Sequence, residues 1–167
     1  MLLKLSEVSM KLYLQNKIVT LGGSSKVFDE NQQEVYEVKG RIVSLRDKKF
    51  IKDMDGNKYY SIGNTLFFNF IRDAAFVYDS KGKKILKIKE KIGLGYEIKT
   101  KDGSEMSVDG EIFKRDSNLM KDGKVIAKIV VQNTIIRDAY EIDVLDETDV
   151  PFIIAIVTAI DNIRDQR

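Results

Sequence analysis

The chain has no cysteine, no histidine and no tryptophan among its 167 residues, and a single proline, Pro151. Without cysteine there is no disulfide, no thiolate nucleophile and no thiolate metal site. Nothing then asks for an oxidising compartment, and the cytoplasm is the expected location. Without histidine the usual general base near neutral pH is missing, which removes most common hydrolase arrangements. Carboxylate pairs remain, but the acidic residues gather at turn positions, where solvent keeps such groups ordinary. The expectation is a protein that is not an enzyme, with no catalytic residue, no metal and no cofactor.

Long apolar stretches are scarce too. The first ten residues hold Lys4, Ser6, Glu7 and Ser9, unlike the continuous apolar core of a secretory leader. The longest apolar run, Val150 to Ile160 with Thr158 inside it, is about half of the roughly 20 residues that cross a bilayer. No transmembrane segment is expected, so this run must be buried in protein. With 43% hydrophobic and 32% charged residues the chain should fold rather than stay disordered. Its length suits one domain over 1–167.

An internal repeat organises most of the chain. Arg46-Asp47 to Asp53, Arg72-Asp73 to Asp79 and Arg115-Asp116 to Asp122 share an Arg-Asp pair, an apolar pair and a closing aspartate, and a partial copy begins at Arg137-Asp138. Gly56, Gly82 and Gly123 follow the closing aspartates, and Gly103 marks a copy without the Arg-Asp pair. Aspartate and glycine supply the acceptor and the positive φ that tight hairpin turns need.

Alternating segments flank each turn. In Ile85 to Ile92, Leu86, Ile88 and Ile92 oppose Lys87, Lys89 and Lys91, and Val35 to Val43 alternates in the same way. Period two means strand. Val38-Lys39-Gly40-Arg41-Ile42 and Val108-Asp109-Gly110-Glu111-Ile112 look like copies of one strand with a glycine bend. Turns 20 to 26 residues apart predict about ten to twelve antiparallel strands between residues 11 and 145, closing into a barrel or stacking as a sandwich.

The C-terminus breaks this pattern. Asp146, Glu147, Thr148 and Asp149 precede Pro151, a helix start in which acidic groups and a capping side chain meet free amides. The run then continues with Val157, Ile160 and Ile163 at helical spacing, which predicts a helix over about 150–164. A helix apolar around its whole circumference must be surrounded, so the strands should wrap it.

That combination, a twelve-stranded barrel around a hydrophobic C-terminal helix, is the architecture of the tubby C-terminal domain and its relatives. The sequence more closely resembles the LURP-one-related family of small bacterial and plant proteins. The resemblance is carried by Tyr13-Leu14-Gln15-Asn16-Lys17, by Val27-Phe28-Asp29-Glu30-Asn31 with Val35-Tyr36-Glu37-Val38-Lys39-Gly40, by Tyr140-Glu141-Ile142, and by Ala155 to Asp161 in the helix. It implies a mostly β, tubby-like closed barrel. In that superfamily tubby domains bind phosphoinositide head groups and phospholipid scramblases act at membranes, so the resemblance also points towards lipid surfaces. Shared fold is only an analogy for function.

Three local motifs dissolve on inspection. Asp53-Met54-Asp55-Gly56-Asn57 looks like part of a calcium loop, but Ile51 and Ile62 stand where the first and last ligands belong. Gly22-Gly23-Ser24-Ser25-Lys26 lacks the spacing and the following helix of a phosphate loop. Gly93-Leu94-Gly95 runs on into a strand. The four Arg-Asp pairs could ring one barrel end and hold a zwitterionic ligand, although a turn-capping aspartate beside a solvated arginine accounts for each.

The strongest candidate is a concentration of charge. Residues 81–101 carry eight lysines against Glu90 and Glu97, a surplus of six positive charges in a chain of net charge +2, which leaves the remainder at −4. Lys84, Lys87, Lys89 and Lys91 on one strand and Lys99 and Lys101 on its expected partner form a candidate anion- or lipid-binding surface. Such a surface suits a non-enzymatic domain that meets anionic phospholipid head groups at the inner membrane face. The alternative is a protein-interaction or structural module whose lysines solubilise the outer face and keep an edge strand from pairing with other chains. Nucleic acid is disfavoured, because the basic face lacks interleaved aromatics beyond Tyr96.

Overall fold

Three of the described hairpin turns are each closed by the side chain of their own first aspartate. Asp29, Asp53 and Asp79 each accept the backbone N–H groups two and four residues further on, at 2.8 to 3.0 Å. The fourth residue of each turn lies in the left-handed region: Gln32 at φ 60°, Gly56 at 85° and Gly82 at 79°. The Asp29 turn is therefore the same unit as the glycine turns, with glutamine in glycine's place. A further described turn uses Asp122 and Gly123, both at positive φ (49° and 77°), the pairing that a two-residue hairpin of matching twist requires.

The computed structural model describes residues 9–16, 24–40, 48–64, 74–91, 95–109, 116–133, 138–145 and 149–165. Twelve strands follow in chain order: β1 (Met10–Asn16), β2 (Ser25–Phe28), β3 (Glu34–Gly40), β4 (Lys48–Asp53), β5 (Lys58–Asn64), β6 (Ala74–Tyr78), β7 (Lys84–Lys91), β8 (Gly95–Thr100), β9 (Met106–Asp109), β10 (Asp116–Lys121), β11 (Lys124–Asn133) and β12 (Asp138–Val144). Every neighbour in sequence is a neighbour in the sheet, and β1 also pairs with β12 from Met10↔Val144 to Gln15↔Ala139, closing an antiparallel barrel. The described turns after β2, β4, β6, β8 and β10 accordingly share one end of the barrel, called here the turn end.

The register is regular except beside the turns. It shifts at Val27/Phe28, Ile51/Lys52, Val77/Tyr78 and Leu119/Met120, where a left-handed turn residue adds a bulge and increases local twist. The bend expected at Gly40 is not such a break, because β3 and β4 pair continuously from Tyr36↔Asp53 to Gly40↔Lys49. Gly110, Gly22, Gly23, Gly93, Leu94 and all four arginines of the Arg-Asp pairs lie outside the described residues.

One face of each strand points inward. Leu12, Leu14, Val27, Val38, Ile51, Ile62, Ala75, Val77, Leu86, Ile88, Leu119, Ile129 and Ile142 are all buried in one core. The helix α1 (Val150–Asp165) completes it. All eleven residues from Ile153 to Ile163 are buried, so every side of the helix is covered, as a uniformly apolar helix demands. Asp149 caps it, accepting the Phe152 N–H at 3.1 Å, and Pro151 sits in the first turn, where no amide partner is lost. The barrel wrapped around a buried C-terminal helix is the architecture expected from the sequence.

The turns yield a paired prediction. Gln32→Gly should stabilise the protein by about 0.5 kcal/mol, because relief of the left-handed strain exceeds the added freedom of the unfolded chain. Gly82→Ala, with open space around its Cβ position, should cost about 1 kcal/mol through φ alone. Urea-unfolding midpoints would test both; equal signs for the two changes would contradict the shared turn geometry.

Candidate binding surface on the outer wall

On β7 the inward positions are Leu86 and Ile88, both buried, so Lys87, Lys89 and Lys91 project outward. Register places Lys87 opposite Lys99 and Lys89 opposite Glu97. Lys87, Lys91 and Lys99 are exposed and Lys89 half-buried. Glu97 stands among them, 3.8 Å from both Lys91 and Lys99; exposed pairs of this kind contribute little. Since β7 lies between β6 and β8 in a closed barrel, these lysines guard no edge, and that explanation of the charge falls away.

Lys84 and Lys101 behave differently from the other four. A bulge at Ile85 re-aims Lys84 so that its Nζ lies 4.1 Å from the centroid of the outward Phe76 ring, and Lys87 Nζ approaches the same ring at 5.9 Å. Lys101 follows the end of β8, where its backbone N–H donates to Ile85 O at 3.0 Å. It belongs to the mouth of the barrel at the turn end rather than to the wall.

The structure also brings in residues that the sequence reading missed. Ile51 faces the core, so Phe50 faces outward; Ala75 and Val77 face the core, so Phe76 and Tyr78 face outward. Lys58 Nζ lies 5.0 Å from the Phe50 centroid and Lys48 Nζ 5.6 Å from that of Tyr78. Tyr96, by contrast, packs against the core. The aromatics that interleave with the lysines are thus Phe50, Phe76 and Tyr78. Each carries an ammonium near its ring, a cation–π arrangement that competes with base stacking.

Asp53 is committed to its turn. Besides the two backbone N–H groups, its Oδ2 accepts Asn57 Nδ2 at 2.8 Å and Tyr59 OH at 3.0 Å. These hydrogen bonds, that from Asn57 first, hold its carboxyl below the usual range. Among the described residues no group of three His, Cys, Asp or Glu could hold a metal ion, and no helix is long and apolar enough to cross a membrane.

Polar contacts tie both ends of α1 to the wall. At the turn end Tyr60 OH donates to Asp149, and the Tyr60 and Phe152 rings meet at 5.6 Å. At the far end Tyr140 OH donates to the buried Asp161 and accepts from Arg164 Nη1 at 2.9 Å, while Lys49 Nζ donates to the buried Asn162. Burial, and then the neighbouring carboxylates Asp149 and Asp161, push both phenols above their ordinary value.

A closed antiparallel barrel threaded by its own C-terminal helix defines the tubby C-terminal-like class of domains. The pattern of the LURP-one-related family matches residues 10–161, and the chain belongs to that family. It is 24% identical over 153 residues to the uncharacterized protein YxjI of Bacillus subtilis (strain 168), covering 91% of this chain and 92% of that protein. A crystal structure of a protein from Arabidopsis thaliana superimposes with a TM-score of 0.67 at 14% identity, over 93% of this chain and 91% of the other. At that identity the likeness concerns the fold.

The two phenols give a pH prediction. A folded pKa raised above the unfolded value of about 10 contributes stability that is complete below pH 10 and lost as pH rises through the folded value. Tyrosinate absorbance should therefore show Tyr60 and Tyr140 ionising only as the protein unfolds in alkali. Tyr60→Phe with Tyr140→Phe should remove part of the alkaline loss of stability. Ionisation of either phenol in the native protein near pH 10 would contradict the burial and carboxylate contacts described here.

Proposed function

We propose that the chain is a non-enzymatic binding module that docks on anionic phospholipid head groups at the cytoplasmic face of a membrane. The observation that carries this reading is the outer wall of β4 to β8, where Lys84, Lys87, Lys89, Lys91 and Lys99 share a face with Phe50, Phe76 and Tyr78. Lysines near an anionic leaflet contribute about 1 kcal/mol each, so five support weak, reversible, salt-sensitive attachment. Aromatic rings at the same level suit the headgroup boundary, where amphipathic rings are favoured. Lys101 lies at the mouth of the barrel and is no part of this wall.

Co-sedimentation with vesicles containing phosphatidylserine or phosphoinositides tests the reading. The protein should pellet at low salt, bind several-fold less at moderate salt because exposed charges are screened over about 8 to 10 Å, and fail to bind as the Lys87→Glu, Lys89→Glu, Lys91→Glu variant. Absence of binding at low salt would retire the lipid reading in favour of a protein partner.

A further inference from the structure

A cavity of about 300 Å³ opens at the turn end of the barrel, where α1 begins. This volume is at the lower end of the range for small-molecule sites. Its lining includes the buried Leu86 and the half-buried Phe152, together with the exposed Lys83 and Lys101 and the half-buried Lys121. The three lysines come from three separate places in the chain, the turn before β7, the end of β8 and the end of β10, so the fold alone gathers them.

Two carboxylates also line the cavity, and both accept hydrogen bonds from neutral groups of its own wall, which leaves the lining with one surplus positive charge, three lysines against two carboxylates. Asp149 accepts from the Phe152 N–H and from Tyr60. Asp102 accepts the N–H of Ser104 at 3.0 Å and its hydroxyl at 2.6 Å. Among the described residues Lys83, Lys101 and Lys121 form no ion pair; Lys121 Nζ lies 5.8 Å from the centroid of the Phe152 ring, and its charge also acts on Asp102. Because Asp149 already neutralises the helix start, any attraction for anions comes from the lysines rather than from the helix dipole.

We infer that this cavity is a binding site for a phosphate monoester, whose dianionic group is held by Lys83, Lys101 and Lys121 and whose body rests on Phe152 and Leu86. A compact dianion suits three lysines around one mouth better than a single carboxylate would, because charge-assisted hydrogen bonds to separate phosphate oxygens can form together. The site is separate from the outer wall and does not depend on the membrane reading. The same monoester chemistry occurs in soluble phosphorylated polyols and in the head group of phosphatidic acid.

The test is a titration of the whole chain, followed by NMR, with inorganic phosphate, glycerol 3-phosphate and, as the uncharged control, glycerol. A parallel arm uses phosphatidic acid vesicles beside phosphatidylcholine vesicles. The expected result is saturable shifts confined to Thr100–Ser104, Lys121 and Phe152 with the phosphate probes and none with glycerol. Lys101→Gln with Lys121→Gln should weaken binding about tenfold or more, Lys121→Arg should retain it, and Lys87→Glu, Lys89→Glu, Lys91→Glu should leave it unchanged. Thermal melts confirm that these exposed or half-exposed substitutions leave the fold intact. Binding only to phosphatidic acid vesicles, lost in the double glutamine variant, would also support the site and assign its ligand to a lipid. No saturable shift up to about 10 mM probe together with no vesicle binding, or binding indifferent to Lys101 and Lys121, would overturn it.

Discussion

The structure depends on one mutual requirement: a helix with no polar side and a barrel with no filling of its own. Eight strands close tightly enough for side chains alone to fill the interior, whereas larger barrels leave a lumen. Twelve strands leave room for a helix about 10 Å across, and α1 occupies it with eleven consecutive buried residues. Neither part satisfies its apolar surface without the other. Burying a large side chain contributes roughly 1.5 to 3 kcal/mol, so Ile153, Ile154, Ile156, Ile160 and Ile163 together contribute about as much as a typical net stability of 5 to 15 kcal/mol, a remainder kept small by the chain entropy that opposes folding.

Apolar packing alone would let a smooth helix slide or turn within its sleeve. The polar residues at its ends remove that freedom. Sliding by one turn, about 5.4 Å, would carry Asp161 away from Tyr140, Asn162 away from Lys49 and Asp149 away from Tyr60, leaving buried polar groups without partners at a cost of about 1 to 3 kcal/mol each. Fixing the helix also fixes the turn-end mouth, because Phe152 and Asp149 are parts of its wall. Core packing and the proposed anion site are therefore linked through the first turn of α1.

Much of this was legible in the residues themselves. The alternation of β7, the Asp-Gly turns and the acidic, proline-bearing start of the helix are local codes, and the observed Val150–Asp165 helix matches the expected one to within a residue. Gln32 escaped notice because a turn is usually read from glycine, and here the aspartate's two hydrogen bonds hold a glutamine in the left-handed region. The outer aromatics escaped because which face a ring takes depends on register: Phe50 and Phe76 are outward and Tyr96 inward by pairing, not by composition. Lys84 illustrates the limit, since a bulge one residue away re-aims it onto Phe76. The cavity could not be read at all, because Lys83, Lys101 and Lys121 come to line one mouth only once the barrel closes.

The most direct measurement is of the chain ending at Asp149, compared with the whole chain by urea unfolding, near-ultraviolet circular dichroism and dye binding. If the helix is the core that the strands need, the shortened protein will be insoluble, or will keep strand content while losing cooperative unfolding and fixed aromatic packing and exposing apolar surface to the dye. A shortened protein that unfolds cooperatively with native aromatic signals would contradict the account, because it would mean that the barrel fills itself.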